Sequence, residues 1–152
     1  MERTEKRRIE AEALIPLIQE LERFMPVEEI KNLLARANKR EAYIRGKNIS
    51  PTNSSETIDT LFEDVQTWGD EVDMQISFIE KTKTSLFFDV KKCPYHELYI
   101  ELGIERYGNA LSCCRDEPFA GGLNEELTLR RSKTLMEGDD CCDFRYTLEV
   151  HL

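Results

Sequence analysis

The sequence predicts an α+β fold: an antiparallel sheet of two hairpins, with helices between them and an N-terminal helical segment packed on it. Three observations predict it. Apolar residues recur at helical spacing over residues 7–68, giving each stretch one buried face. The period then falls from 3.6 to 2, and a strand pair follows. A second pair of alternating segments lies beyond another helical stretch, and strands that come in hairpin-linked runs indicate an antiparallel sheet.

The first helix presents Leu14, Leu17, Ile18, Leu21, Phe24 and Met25, and Pro16 within it predicts a kink or a late start. Pro26 begins a second helix, whose face is Ile30, Leu33, Leu34 and Ala37. Residues 46–55 read as a loop by composition. A third helix, capped by Asn53 or a neighbouring serine, presents Ile58, Leu61, Phe62, Val65 and Trp68, and Gly69 ends it. Val72, Met74, Ile76 and Phe78 alternate as a half-buried strand. The chain turns at Lys81-Thr82-Lys83 and returns through Thr84, Leu86, Phe88 and Val90. Pro94 opens a helix with Tyr95, Leu98, Tyr99 and Leu102 on one face, stopped by Gly103. A short helix over residues 109–119 leads to a Gly121-Gly122 turn. Leu127, Leu129, Arg131, Lys133 and Leu135 share one face of a third strand, and residues 137–140 form a tight turn. Cys142, Phe144, Tyr146, Leu148 and Val150 share one face of the last strand. A boundary near residue 70 separates an N-terminal helical segment, residues 1–70, from an α+β unit, residues 71–152. The helices need the sheet to bury their faces, so the two are expected to form one compact unit.

At 152 residues and 40% apolar content, the chain can bury a core without disulfide staples. It has no apolar run long enough to span a bilayer, and the segment Met1–Arg8 alternates in charge with no apolar signal core behind it. The expected location is the cytoplasm, without membrane attachment. A formal net charge of −9 argues against nucleic acid as partner, because phosphate binding needs a basic surface.

All five cysteines, and one of the two histidines, fall within three islands. These are Cys93-Pro94-Tyr95-His96-Glu97, Cys113-Cys114-Arg115-Asp116, and the stretch from Gly138 to Tyr146. The chain before Cys93 contains neither residue type. An odd number of cysteines in a reducing compartment points to free thiols, metal ligands or a nucleophile rather than a disulfide framework. Cys93 stands where a strand gives way to a helix, and N–H groups and dipole at a helix N-terminus lower a thiol pKa. His96 follows at Cys-x-x-His spacing, short enough for both side chains to meet one ligand or one metal. Asp116 follows Cys113 by three. Alternation along the last strand turns Cys142 inward with Phe144 and Cys141 outward. Zinc is the metal such donors could suit, although no Cys-x-x-Cys pair is present, and no other cofactor is implied. Cys114 also reads as a small buried apolar residue. Glu97 and Glu101 read as a solvated helix edge, Asp139-Asp140 as a hairpin turn, and His151 has no expected role.

Together these islands resemble a known family. Cys93-Pro94-Tyr95-His96-Glu97 with Tyr99-x-Glu101-Leu102-Gly103, then Cys113-x-x-Asp116, Arg131-x-x-Thr134 and Gly138-x-x-x-Cys142-Asp143-Phe144, resemble the L-2-amino-thiazoline-4-carboxylic acid hydrolase family over residues 70–150. Cys114 and Cys141 are additional to its motifs, Ser132 stands where the family often has threonine, and the N-terminal helices add little to the likeness. A weaker likeness lies at the last hairpin. Its Gly-Asp turn and Cys142-x-Phe144 are similar to vinyl-reductase-type ligand-binding domains, which share a fold with Bet3-like proteins.

The family resemblance implies opening of 2-amino-thiazoline-4-carboxylate by water at the amidine carbon, giving a carbamoyl derivative of cysteine. Such a site needs a nucleophile or an activated water, an acid for the leaving thiolate and a cation for the carboxylate. On the resemblance, Cys93 or Cys142 is the nucleophile, or both shape a pocket around an activated water. His96 shuttles the proton. Asp116 pairs with the amidinium or orients His96, and Cys113 and Tyr95 help bind a small-molecule substrate. Arg131 holds the carboxylate, or else bonds Asp116 or Glu137 structurally. Two readings compete: a non-catalytic small-molecule or metal-binding sensor domain of Bet3-like fold, and a structural protein whose N-terminal helices form a homodimer.

Overall fold

In the computed structural model, which describes residues 2–150 and so leaves His151 outside, three helices come first. They are α1 (Arg3–Leu21), α2 (Val27–Ile49) and α3 (Thr57–Val72). A hairpin of β1 (Gln75–Lys81) and β2 (Ser85–Lys92) follows, then α4 (Pro94–Glu101), α5 (Gly108–Leu111) and α6 (Asp116–Leu123), and finally β3 (Leu127–Arg130) and β4 (Cys142–Leu148). The sheet order is β1-β2-β4-β3, with every pairing antiparallel. This is the expected α+β fold. No helix among the described residues is long and apolar enough to cross a membrane.

Alternation on the two central strands builds the core. Phe88 on β2 faces Phe144 on β4 across the ladder, and their rings stack at 4.8 Å between centroids. Trp68 of α3 meets both edge-on. Leu86, Val90, Tyr146 and Leu148 continue this face, covered by Ile58, Leu61 and Val65 of α3 and by Phe119, Ala120 and Leu123 of α6. A second cluster joins α1 to α4 through Ala11, Ile18, Leu98 and Tyr99, with Ile30 of α2 and Tyr107 and Leu111 beyond. The outer face of the sheet is polar: Arg145 bridges to Asp89 at 3.0 Å.

Several boundaries differ from the sequence expectation for identifiable reasons. Helix α1 starts at Arg3 and runs through Pro16. Helix α2 continues through Gly46 to Ile49, so the expected loop shrinks, and Leu33 and Ala37 of its expected face are exposed. Asn53 accepts from the Ser55 N–H and caps the 3-10 turn that leads into α3. Helix α3 passes Gly69 and ends at Asp73 in the left-handed conformation, so Val72 is helical and the strand starts at Gln75. Being an edge strand, β1 leaves most of its side chains exposed. At Gly103 the expectation holds: φ is +70° and the Ile104 N–H reaches back to the Tyr99 carbonyl.

The largest difference lies at Gly121-Gly122, which is not a turn but the last turn of the helix α6. Helices α2 and α6 cross there with backbones in contact. A methyl group at Gly122 would overlap the Tyr43 carbonyl oxygen, and one at Gly46 would overlap that of Phe119. The crossing is reinforced by Ser50 donating to the Leu123 carbonyl at 2.6 Å and Asn38 to that of Ala110 at 2.8 Å. Gly122→Ala or Gly46→Ala is therefore expected to lower unfolding free energy in urea by about 1–3 kcal/mol, the usual range for overpacking. Gly121→Ala, with open space around it, is the neutral control. Equal stability of Gly122→Ala and Gly121→Ala would contradict the crossing.

Candidate functional site

A cavity of about 450 Å³ lies between the inner face of the sheet and the helices. The sequence islands meet on its wall. Cys93 and Tyr95 reach it from the start of α4, Cys113 and Asp116 from the turn before α6, Arg131 from the end of β3, and Cys142 from β4. Strand β3 stops at Arg130 rather than continuing to Leu135, and this break lets Arg131 turn under the sheet. Its Nη1 donates to Asp116 Oδ2 at 2.6 Å and its Nη2 to the Cys113 carbonyl at 3.1 Å, while the guanidinium lies 4.9 Å from the Phe144 ring centroid. Of the two acids open to Arg131 as structural partners, Asp116 rather than Glu137 is the one it bonds.

His96 is not among the lining residues. Its Nδ1 lies 3.4 Å from Met136 Sδ, and it is Met136 that faces the cavity. The reason is local. Cys93 is the N-cap of α4 with extended backbone (φ −128°, ψ 105°), a position whose thiol faces the His96 backbone N–H, while the His96 ring turns to Met136. Cys141 precedes β4 on the charged side, in the field of Asp89 and Lys91, yet it is 6% exposed rather than turned out to solvent. Cys114 donates its S–H to the Ala110 carbonyl at 3.2 Å and does not line the cavity.

Other lining residues were not anticipated. Helix α1 contributes Arg3, Lys6, Arg7 and Glu10, so the N-terminal segment that added little to the family likeness forms one wall. Arg3, Arg7 and Glu10 recur at i, i+4 and i+7, a polar stripe legible in the sequence as a face turned toward something polar. Asp64 stands on the buried face of α3 and accepts from Arg45 at 2.6 Å and Trp68 Nε1 at 3.3 Å. A carboxylate three residues from Leu61 and four from Trp68 was the available signal. With Arg45, Arg115 and Arg131, six cationic side chains face four acidic ones (Glu10, Glu41, Asp64, Asp116). Arg3 is also paired with Glu71 at 2.5 Å, so the smaller cationic excess that remains, inside a chain of net charge −9, lies with Lys6, Arg7 and Arg115. Among the described residues, no three His, Cys, Asp or Glu side chains are arranged to hold a metal ion.

The sequence profile of the L-2-amino-thiazoline-4-carboxylic acid hydrolase family matches residues 6–146. The chain belongs to that family. Membership therefore extends over α1–α3, well beyond the C-terminal islands. Among solved structures the chain is similar to trafficking protein particle complex subunit 3 from Naegleria fowleri, a crystal structure with palmitic acid covalently bound. Identity is 13%, the TM-score 0.56, and 97% of each chain is covered. At that identity the likeness shows the fold, which is the Bet3-like one, and nothing of chemistry. No curated protein matches the chain.

Within this family member, burial governs the thiols. Burial raises Cys93 above its ordinary value, although the His96 and Tyr95 backbone N–H groups at the start of α4 pull it down. The N–H contribution expected at that helix start is present, and desolvation outweighs it. Burial, then the Asp116 charge, pushes the Cys113 thiol far up. Cys142 is pushed up to about 11 by burial, against an opposing N–H···S bond from Leu135 at 3.2 Å. Burial likewise lifts the Asp116 carboxyl above its usual value, with Arg131 resisting. At neutral pH the cavity accordingly holds protonated thiols beside a carboxyl group that burial and Arg131 pull in opposite directions.

These shifts have a sign. In the unfolded chain Cys142 titrates near 9, in the folded protein near 11, so between these values the folded state retains a proton that the unfolded state has lost. Stability is present in full below pH 9 and declines as pH rises toward about 11. Urea unfolding across that window is expected to show the decline, and Cys142→Ala to reduce its slope. A flat or rising profile would contradict the burial of this thiol.

Proposed function

We propose that this protein is a hydrolase that opens a small cyclic amidine, of the type of 2-amino-thiazoline-4-carboxylate, inside the cavity. One observation carries the reading: thiols and a carboxylate from three sequence-distant islands line a single hollow of a size that suits a small heterocycle. Family membership supports it.

The roles follow from the protonation states. Protonated thiols are weak nucleophiles, so an activated water is the better attacker. Asp116, its carboxyl raised by burial, takes a proton from the water as the water oxygen bonds to the amidine carbon, and passes that proton to the ring nitrogen. The tetrahedral carbon then carries hydroxyl, sulfur and two nitrogens. As the carbon–sulfur bond breaks, the hydroxyl proton leaves and the sulfur departs as a thiol, giving the carbamoyl derivative of cysteine. Cys93, Cys113 and Cys142 shape the wall around the ring sulfur, and Cys93, beneath the N–H groups of α4, is the thiol best placed to relay the proton. Arg131 fixes Asp116. His96, lying behind Met136, is outside this path.

A second reading, a non-catalytic ligand-binding domain, draws support from the same raised thiols and from a structural neighbour that holds a fatty acid. The two are separated by turnover. Purified protein is expected to convert 2-amino-thiazoline-4-carboxylate to carbamoyl-cysteine. Asp116→Asn should lower kcat by about 10²-fold or more, the usual contribution of a general base, Cys93→Ala should lower it less, and His96→Ala should leave it nearly unchanged. Tight binding without turnover in wild type would favour the second reading and defeat the first.

A further inference from the structure

Two guanidinium groups that line the cavity meet at one backbone carbonyl. Arg7 Nη1 donates to the Leu111 carbonyl oxygen at 3.0 Å, and Arg115 Nε donates to the same oxygen at 2.9 Å. A carbonyl has lone pairs for both bonds, but its partial charge cannot neutralise two full positive ones. Nor do the carboxylates beside them. Glu10 lies 3.9 Å from Arg7 Nε and Glu41 lies 3.7 Å from Arg115 Nη1, both beyond hydrogen-bond length, and these side chains are 44% and 74% exposed. Pairs of that kind are weak and screened by solvent. The arginines themselves are mostly covered, at 18% and 24%.

Both side chains are also held in position. Arg7 lies 5.0 Å from the Tyr95 ring centroid, and Arg115 Nη2 donates to Asn38 Oδ1 at 2.7 Å. Holding two like charges together under partial burial is unfavourable without an anion to join them. The guanidinium of Arg115 registers this, its pKa depressed by burial first and Arg7 second, whereas Arg7 itself is raised, because Tyr99, Tyr95 and Glu10 outweigh its burial. Arg131 is the contrast. Its charge is matched by Asp116 at 2.6 Å, and its Nη2 is taken by the Cys113 carbonyl.

We propose that Arg7 and Arg115 form the receptor for the carboxylate of the substrate, while Arg131 serves Asp116. The assignment rests on the cavity being the site for a carboxylate-bearing heterocycle, and it makes α1 part of the specificity machinery. Two planar guanidinium groups offer a carboxylate several charge-assisted hydrogen bonds, which a neutral isostere cannot accept with the same strength.

The test is titration calorimetry with carbamoyl-cysteine, the unreactive product, and with its methyl ester, which differs by the charge. Wild type is expected to bind the acid at least about tenfold more tightly than the ester. Arg7→Gln and Arg115→Gln should each weaken the acid by about tenfold and leave the ester unchanged, with Arg115→Lys recovering part of the loss. The wild-type comparison stands even if a glutamine variant fails to fold. Acid preference and arginine dependence without thiazoline turnover would uphold the receptor and defeat the hydrolase reading. Turnover with acid and ester bound equally, or no binding of either, would overturn the receptor.

Discussion

The pairing of Arg131 with Asp116 is the interaction on which the site depends. It joins the end of β3 to the start of α6, the sheet layer to the helix layer, across a short contact that is largely removed from water. A charge placed there without its partner would be strongly unfavourable, several kcal/mol by general experience with buried pairs. The pair therefore forces both segments to arrive together, and with them Cys113, whose carbonyl takes the second guanidinium bond. Cys93 and Cys142 come from the neighbouring strand ends, so one ion pair and two antiparallel strands bring the three thiols to one wall.

The same burial that holds the pair shapes the chemistry. Desolvation works against every charged form, which raises the three thiols and the Asp116 carboxyl alike. A cavity of this kind is poor at generating thiolates and better suited to moving protons around a neutral or cationic ring. Its cationic excess lies elsewhere, on α1 and around Arg115, so the buried thiols with Asp116 and the unmatched guanidinium groups occupy different parts of the wall.

Much of the fold was legible because its core elements obey simple periods. Phe88, Val90, Phe144 and Tyr146 alternate as expected and pack as expected, and Ile58, Leu61 and Val65 mark the buried face of α3. Boundaries were legible only where local chemistry decides them, as at Pro94 and Gly103. Gly121-Gly122 looked like a turn because glycine has two uses. Here the missing side chain serves a close helix crossing with Gly46, a partner 76 positions away that no local pattern reveals. The site was legible to the same extent. Clustering of cysteines pointed to the three islands, and Arg131 on an apolar strand face pointed to a partner, either a substrate carboxylate or one of Asp116 and Glu137. What could not be read was direction: His96 turns its backbone N–H toward Cys93 and its ring toward Met136. Arg7 and Arg115 were hidden for a different reason, since only the packing of α1 over the C-terminal half brings them to one carbonyl.

The most direct measurement of the account is a ligand-protection map of the five thiols, read by alkylation and mass spectrometry with and without carbamoyl-cysteine. If Cys93, Cys113 and Cys142 share the walls of one ligand cavity, their alkylation slows together when the ligand binds, while Cys114 and Cys141 react at unchanged rates. Protection of all five alike, or of none while the ligand is bound, would contradict it.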